Sequence, residues 1–251
     1  MVMPCRSVDG RHGRHVGLED GHRERKATRA QERPPGVDFR LEDVGHANQH
    51  AGKSDILITM RRLSFYITLT ADGMYADEEG GLAGFEPAED EHRFANGLLR
   101  DASDVVMGRV MYGVMGYWDE IDLDDPATPE VEAEFARFWR ETPKHVVSRG
   151  HPQLRPNAEM LDGDVVEAVR SMKAGDGPDI MLGAGAELFA TLSHSGLIDH
   201  YRFLIAPTAL GKGKAMFARL DAPLRLRLTG TRTFSSGSVL LEYVPSVSRA
   251  H

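Results

Sequence analysis

The chain has 251 residues, 41% of them hydrophobic, and a formal net charge of −8 at pH 7. This length permits one large domain or two small ones, and the negative charge argues against a nucleic-acid-binding surface, which is typically basic. Cys5 is the single cysteine, so no disulfide or thiolate zinc cluster can form within the chain, which fits a reducing cytoplasm. No apolar run approaches the roughly 18 residues that span a bilayer, and the first residues lack the apolar core of a signal peptide. We therefore expect a cytoplasmic protein with neither a membrane nor a nucleic-acid partner.

The first 59 residues differ in composition from the rest of the chain. Arg, His, Asp, Glu and Gly dominate there, and the apolar residues have no period, which predicts disorder. We expect residues 1–59 to be a disordered or non-native N-terminal extension, Met60 to be the functional start, and residues 60–251 to be the folded domain. The histidines of the extension are spread along a compositionally biased stretch and predict no metal site: His12, His15, His22, His46 and His50.

From Met60 onward, segments typical of strands alternate with segments typical of helices. We predict strands over residues 61–70, 104–108, 144–148, 179–183, 200–207, 224–234 and 238–244. We predict helices over residues 87–101, from 109 onward, 129–141, 164–172 and 186–195. This order indicates an α/β fold with a mainly parallel central sheet, helices on both faces and antiparallel C-terminal strands. We expect Gly196 to end the last helix in a left-handed conformation, and residues 235–237 to form the final hairpin turn.

Four small residues separate the strand at 179–183 from the next helix. Ligands bind at the carboxyl ends of strands in such sheets, where free amides and the helix dipole favour phosphate. The run Gly183, Ala184, Gly185, Ala186 would let a pyrophosphate touch the main chain. A Rossmann fingerprint does not fit, because Leu188 occupies the third glycine position and the run lies late in the chain. Tight packing of strand against helix remains an alternative.

Two other strand ends carry groups that suit phosphate. Gly108 ends one strand and Arg109 begins the next helix, where a cation opposes the helix dipole unless an anion binds. The alternatives are a surface arginine folded back onto Asp104 and a side chain that is simply exposed to solvent. Ser148 and Arg149 lie where another strand ends and the chain leaves the sheet. Together the three ends predict a phosphorylated dinucleotide, with both arginines suited to the 2′-phosphate that distinguishes NADP from NAD.

Several stretches of the chain carry a family resemblance: LTADGMYAD, VVMGRVMYG, KHVVSR and LGAGAELFATLSHSGLIDHYRFLIAPTALGKGKAMF. Residues 60 to about 244 resemble the dihydrofolate reductase-like superfamily. Within it, they are most similar to the C-terminal reductase domain of bifunctional riboflavin-biosynthesis deaminase/reductases and its stand-alone bacterial relatives. The resemblance implies NADPH as cofactor and a homodimer formed through the last strands, here VLLEYV at 239–244.

The resemblance also assigns roles to residues at the strand ends. It places Ala184 and Gly185 against the pyrophosphate and the nicotinamide side and implies a cis peptide between them. One departure concerns Met111, because the family usually has a threonine there whose hydroxyl contacts phosphate. The cofactor-binding residues expected on these grounds are Gly108, Arg109, Ser148, Arg149, Gly183, Ala184, Gly185, Ala186, Glu187 and Leu188.

The substrate side offers one candidate acid, Glu91, with Asp90 and His92 as its neighbours if the register of the helix is shifted. Glu91 shares a helix face with Phe94 and Ala95, and burial of a carboxylate among apolar side chains raises its pKa, as a catalytic acid requires. The alternative is an acid in the first turn that only interacts with the helix dipole. Thr68, Asp72 and Gly73 are expected near the nicotinamide, as are residues 74–76, with Asp72 shaping a turn in which Gly73 has positive φ.

These features favour an NADPH-dependent reductase that transfers hydride to a small planar heterocycle, pterin-like or aminopyrimidine-like. One alternative is a catalytically weak or inactive nucleotide-binding or dimerisation module of the same fold, which Met111 keeps open. A narrower alternative is a riboflavin-pathway reductase of the 5-amino-6-ribosylaminouracil type. That alternative is weakened because no His/Cys zinc signature precedes Met60.

Overall fold

The computed structural model describes residues 60–81 and 87–246. The predicted extension over residues 1–59 and its histidines lie outside the described residues, as do residues 82–86 and 247–251. Within 60–81 and 87–246, no helix combines the length and hydropathy needed to cross a bilayer. The same ranges contain no cluster of His, Cys, Asp and Glu side chains with the geometry of a metal site.

Strands and helices alternate along the described chain. The strands are β1 (Leu63–Thr70), β2 (Met74–Ala76), β3 (Asp104–Gly108), β4 (Lys144–Val147), β5 (Ala158–Met160), β6 (Ile180–Gly183), β7 (His200–Ala206), β8 (Lys214–Ala215), β9 (Leu226–Thr233) and β10 (Val239–Pro245). The helices are α1 (Glu89–Arg100), α2 (Arg109–Met115), α3 (Tyr117–Glu120), α4 (Glu130–Glu141), α5 (Val165–Ala174) and α6 (Ala186–His194).

The main sheet has eight strands in the order β5-β4-β3-β6-β1-β7-β10-β9. The strands from β5 to β7 run parallel, whereas β10 is antiparallel to both β7 and β9. The central strand β1 has Phe65 opposite Leu182 of β6 on one side and opposite Tyr201 of β7 on the other. This topology confirms the predicted mainly parallel sheet with antiparallel C-terminal strands.

Hydrophobic cores cover both faces of the sheet. Alternate residues of β1 point to opposite faces, so Phe65 packs in one core and Tyr66 in the other. The core around Tyr66 is closed by side chains of α1, α2 and α4, including Trp139. The core around Phe65 is closed by α5 and α6, including Phe189. This arrangement confirms the flanking helices, and it leaves the strand ends as the place for a ligand.

Element boundaries differ from the sequence-based ones by a few residues. Helix α1 begins at Glu89 rather than at Pro87, because Ala88 is the extended N-cap residue with φ −66° and ψ 160°. Gly196 and Gly237 have φ of +67° and +88°, which confirms the predicted helix end and hairpin turn. The short elements β2, β5, β8 and α3 were not predicted, because two to four residues carry no measurable period.

Candidate functional site

A cleft of about 1350 Å³ lies at the carboxyl ends of β3, β4 and β6. It is lined by residues 108–109, 148–149 and 185–188, so the structure brings the three predicted strand ends to one place. The predicted Gly183 and Ala184 are buried behind this lining. Parallel strands explain the convergence, because their carboxyl ends share one edge of the sheet.

The N-terminus of α6 presents amides at this cleft that have no hydrogen-bond partner among residues 60–81 and 87–246. Gly185 is the N-cap, extended at φ −81° and ψ 179°, and no side chain caps the helix. The Phe189 amide donates to the Gly185 carbonyl at 3.0 Å and begins the helical hydrogen bonds. The amides of the first turn have no partner inside the helix and carry the positive end of its dipole. This end of α6 can therefore bind an anion such as a phosphate.

Both N-cap glycines beside the cleft have space for a side chain. A Cβ added at Gly185 would lie 3.5 Å from the Tyr75 hydroxyl oxygen, and one added at Gly108 would lie 3.9 Å from Leu188 Cδ2. Both are ordinary van der Waals distances, and neither residue has positive φ. The described structure therefore does not require glycine at these positions, and the absence of a side chain leaves the main chain open to close approach.

The cis peptide expected between Ala184 and Gly185 is not found. No peptide bond in residues 60–81 and 87–246 is cis, so that prediction is wrong. The physical reason is that the extended Gly185 turns the chain from β6 into α6 with a trans bond. A cis bond before a residue other than proline would cost about 3–4 kcal/mol without any gain in geometry.

Two arginines extend the positive charge along the cleft. Arg109 is exposed and has no ion-pair partner among the residues that the structure describes. Asp104, its alternative partner, instead pairs with Arg61 and with His145. Arg149 is 93% exposed and pairs with Glu187 across the mouth of the cleft. An exposed pair of this kind contributes at most about 1 kcal/mol, so Arg149 can exchange Glu187 for a ligand phosphate.

Ser148 and Met111 differ in what they offer this cleft. The Ser148 hydroxyl accepts a hydrogen bond from the Gly150 amide at 3.1 Å and keeps its own proton for a ligand. Met111 also lines the cleft, and its side chain is largely buried. A thioether supplies no proton donor, so the cleft lacks a hydroxyl at this position.

Glu91 lies outside the cleft lining. Its side chain is 1% exposed. One carboxylate oxygen accepts from the Ala88 amide at 2.7 Å and the other accepts from the Ser236 hydroxyl at 2.5 Å. The Ser236 hydroxyl also lies 3.0 Å from that of Ser238, which is completely buried. Glu91 therefore closes the N-terminus of α1 and holds the β9–β10 turn, while its role as an acid stays a prediction.

Tyr66 is the buried neighbour of this carboxylate. Burial raises the pKa of the Tyr66 phenol above its usual value, the negative charge of Glu91 raises it further, and a hydrogen bond with Thr68 opposes the shift. The phenol therefore stays protonated throughout the physiological pH range.

The contact between Ser236 and Glu91 could not be predicted from local sequence, because the two residues are 145 positions apart in the chain.

Asp72 and Gly73 form the turn after β1, as the sequence predicts. Gly73 has φ +81°. The Asp72 carboxylate accepts from the Thr70 hydroxyl at 2.5 Å and from the Gly211 amide at 2.7 Å. These hydrogen bonds lower the pKa of Asp72, and the one from Thr70 has the largest effect. Thr68, Asp72 and Gly73 are not part of the cleft lining, so their place beside the nicotinamide stays a prediction.

The turn positions a small sheet, β2–β8, that borders the cleft. Tyr75 and Ala76 of β2 and Lys214 of β8 are lining residues. Residues 74–76 were expected near the cofactor, whereas Lys214 was not predicted, because a basic glycine-rich turn is usually solvated. The segment from Leu161 to Val165 also contributes to the lining and was not predicted. No pattern in the sequence indicates it.

Two of the solved structures that share this fold are named as reductases. Dihydrofolate reductase from Enterococcus faecalis, complexed with NADP(H), has a TM-score of 0.50 at 13% identity, over 74% of this chain and 96% of that one. The diaminohydroxyphosphoribosylaminopyrimidine deaminase/5-amino-6-(5-phosphoribosylamino)uracil reductase of Thermotoga maritima has a TM-score of 0.53 at 16% identity. That match covers 74% of this chain and 57% of that one. The fold is thus the dihydrofolate reductase-like one.

The family follows from the sequence itself. The model of the RibD C-terminal domain matches residues 62–240, and the chain therefore belongs to that family. The uncharacterized protein YyaP of Bacillus subtilis (strain 168) is 28% identical over 186 residues, which cover 74% of this chain and 96% of YyaP. The predicted resemblance is confirmed.

Proposed function

We propose that the protein is an NADPH-dependent reductase that acts on a small planar heterocycle of the pterin or aminopyrimidine type. The observation that carries the proposal is the cleft in which the free amides of α6, the Ser148 hydroxyl and the guanidinium groups of Arg109 and Arg149 meet. The NADP(H) in the dihydrofolate reductase complex and the reductase activity in the name of the Thermotoga protein support it.

The residues of the cleft fit a phosphorylated dinucleotide. The first turn of α6 offers amides to a pyrophosphate, and Gly108 and Gly185 leave the main chain open to close approach. Arg109 and Arg149 supply the charge that a 2′-phosphate requires. A bound NADPH would supply hydride, and the protein would supply binding, orientation and a proton.

Glu91 is our proposed source of that proton. Its carboxyl group is buried and accepts a hydrogen bond from Ser236, a half-buried residue of the β9–β10 turn. The alternative that the structure describes is the helix-capping role.

A binding module without catalysis is the second candidate, and Met111 is the observation that favours it. The missing hydroxyl weakens the contacts available to a phosphate, so the protein could hold a nucleotide without rapid turnover. Reduction of a riboflavin-pathway aminopyrimidine is the narrower form of the first candidate.

We also propose a homodimer that uses the last strands. Strand β10 pairs with β7 on one side and β9 on the other, so its backbone edges are occupied within the subunit. Contact between subunits would therefore use side chains of the strands or the free edge of β9. Sedimentation of the protein at micromolar concentration distinguishes a dimer from a monomer.

Titration with NADPH, followed by its oxidation across a panel of pterins, aminopyrimidines and quinones, tests the proposed function. A reductase binds NADPH saturably and oxidises it with at least one member of the panel. A binding module binds NADPH saturably but oxidises it with no member of the panel. Failure to bind NADPH would contradict both candidates in their present form.

A further inference from the structure

The Tyr75 side chain stands over the N-terminus of α6. Its hydroxyl oxygen lies 3.5 Å, and its Cζ 3.7 Å, from the position that a Cβ on Gly185 would take. Tyr75 is therefore beside the point where the first-turn amides of α6 face the cleft. The described parts of the chain provide no hydrogen-bond partner for its hydroxyl.

The ring of Tyr75 is anchored at the lining of the cleft. The side chain is half-buried and packs against the hydrophobic core around Phe65. Strand β2 is held by the hydrogen bond from the Met74 amide to the Thr70 hydroxyl at 3.0 Å and by pairing with β8. An anchored ring presents its hydroxyl with little further loss of conformational entropy.

The pairing of β2 with β8 depends on Gly213. This residue has φ +151°, and a Cβ there would lie 2.4 Å from the Ala76 carbonyl oxygen. Only glycine permits this approach. The sequence thus fixes the β2–β8 sheet beside the cleft, with Tyr75 on one strand and the cationic Lys214 on the other.

We propose that the Tyr75 hydroxyl binds the pyrophosphate of the dinucleotide together with the first-turn amides of α6. The inference rests on the proposed function, because it assigns a further binding residue to the same site. A phenol donates readily to a phosphate oxygen, and Lys214 on the paired strand β8 adds a positive charge to this side of the cleft. The residue binds the part that NADPH and NADH share, so it contributes to affinity and not to the choice between them.

The variant Tyr75→Phe tests this role, with Tyr243→Phe as the matched control. Phenylalanine keeps the ring packing and removes only the hydroxyl. Tyr243 is also half-buried and packs against the same core, but does not line the cleft. A hydrogen bond to a charged group corresponds to about tenfold to a hundredfold in affinity. Dissociation constants are measured by calorimetry for NADPH, NADH and adenosine 2′-monophosphate, which lacks a pyrophosphate.

We expect Tyr75→Phe to lower the affinities for NADPH and NADH by the same factor, about ten or more. Its affinity for adenosine 2′-monophosphate, and all affinities of the Tyr243→Phe variant, should equal those of the wild type. Wild-type affinity of Tyr75→Phe for NADPH, or an equal loss for adenosine 2′-monophosphate, would overturn the inference and leave the proposed function intact. A wild-type protein that binds neither dinucleotide would overturn both.

Discussion

Replacing Gly185 by alanine separates the demands of the fold from those of a ligand. The added methyl group would touch the Tyr75 phenol at 3.5–3.8 Å, and the backbone at φ −81° accepts any residue. Replacing a glycine N-cap by alanine lowers the free energy of unfolding by up to about 1 kcal/mol. Alanine also lowers the conformational entropy of the unfolded chain, which raises the free energy of unfolding by about 0.4–1 kcal/mol. The free energy of unfolding should therefore change by less than about 1 kcal/mol, or a few degrees in Tm.

Binding should respond much more strongly than folding. The methyl group would stand between a pyrophosphate and the α6 amides, and the loss of even one hydrogen bond to a charged group costs about 1.5–3 kcal/mol. We expect the NADPH dissociation constant of Gly185→Ala to rise by about tenfold to a hundredfold. Isothermal titration gives the affinity, and thermal unfolding gives the stability.

Gly97→Ala is the matched control. Gly97 lies inside α1, where a Cβ would be 3.9 Å from Arg100 Nη2. Alanine should therefore stabilise the helix by about 1 kcal/mol and leave the NADPH dissociation constant unchanged. The reasoning is refuted if Gly185→Ala binds NADPH as tightly as the wild type. It is also refuted if the variant loses several kcal/mol of stability, since the glycine would then serve the fold.

Three other predictions follow from the site and its surroundings. Arg109→Ala and Arg149→Ala should each lower the affinity for NADPH by about tenfold and leave the affinity for NADH nearly unchanged, because only NADPH has a 2′-phosphate. An equal loss of affinity for both dinucleotides in titrations would contradict that assignment. Glu91→Gln, which keeps an oxygen to accept from the Ala88 amide, should lower turnover at least about tenfold, whereas an unchanged rate would leave Glu91 with its capping role alone. Burial lowers the pKa of His92 below its usual 6.5, an effect that the hydrogen bond to Asn96 partly opposes. Because the unfolded chain then binds a proton that the folded protein does not, stability should fall as the pH drops below about 6.5. Urea unfolding between pH 5 and 8 should show this slope, and it should be smaller in His92→Gln; equal slopes would refute the assignment.

The parts of the fold that sequence predicts best are those with long periodic or buried runs. Strand β3 and the start of α6 agree with the predicted residues, because apolar runs bounded by small or charged residues are local signals. The β2–β8 sheet depends instead on Gly213 meeting the Ala76 carbonyl, a contact between residues far apart in the chain. No local window contains that information.

The candidate site shows the same division. Residues 108–109, 148–149 and 185–188 could be placed together from sequence, because the ends of parallel strands share an edge. The hydrogen bond from Ser236 to Glu91 could not, since the helix and the hairpin are joined only by tertiary structure. The expected cis peptide came from the resemblance and not from any local pattern of the sequence, and no peptide bond is cis within the described residues.

A crystal structure of the protein grown with NADPH would show whether the cleft holds the dinucleotide. We expect the pyrophosphate at the first turn of α6, beside the Tyr75 hydroxyl, and the 2′-phosphate within reach of Arg109 or Arg149. A dinucleotide bound elsewhere on the protein, or a cleft that stays without ligand at saturating NADPH, would contradict this expectation.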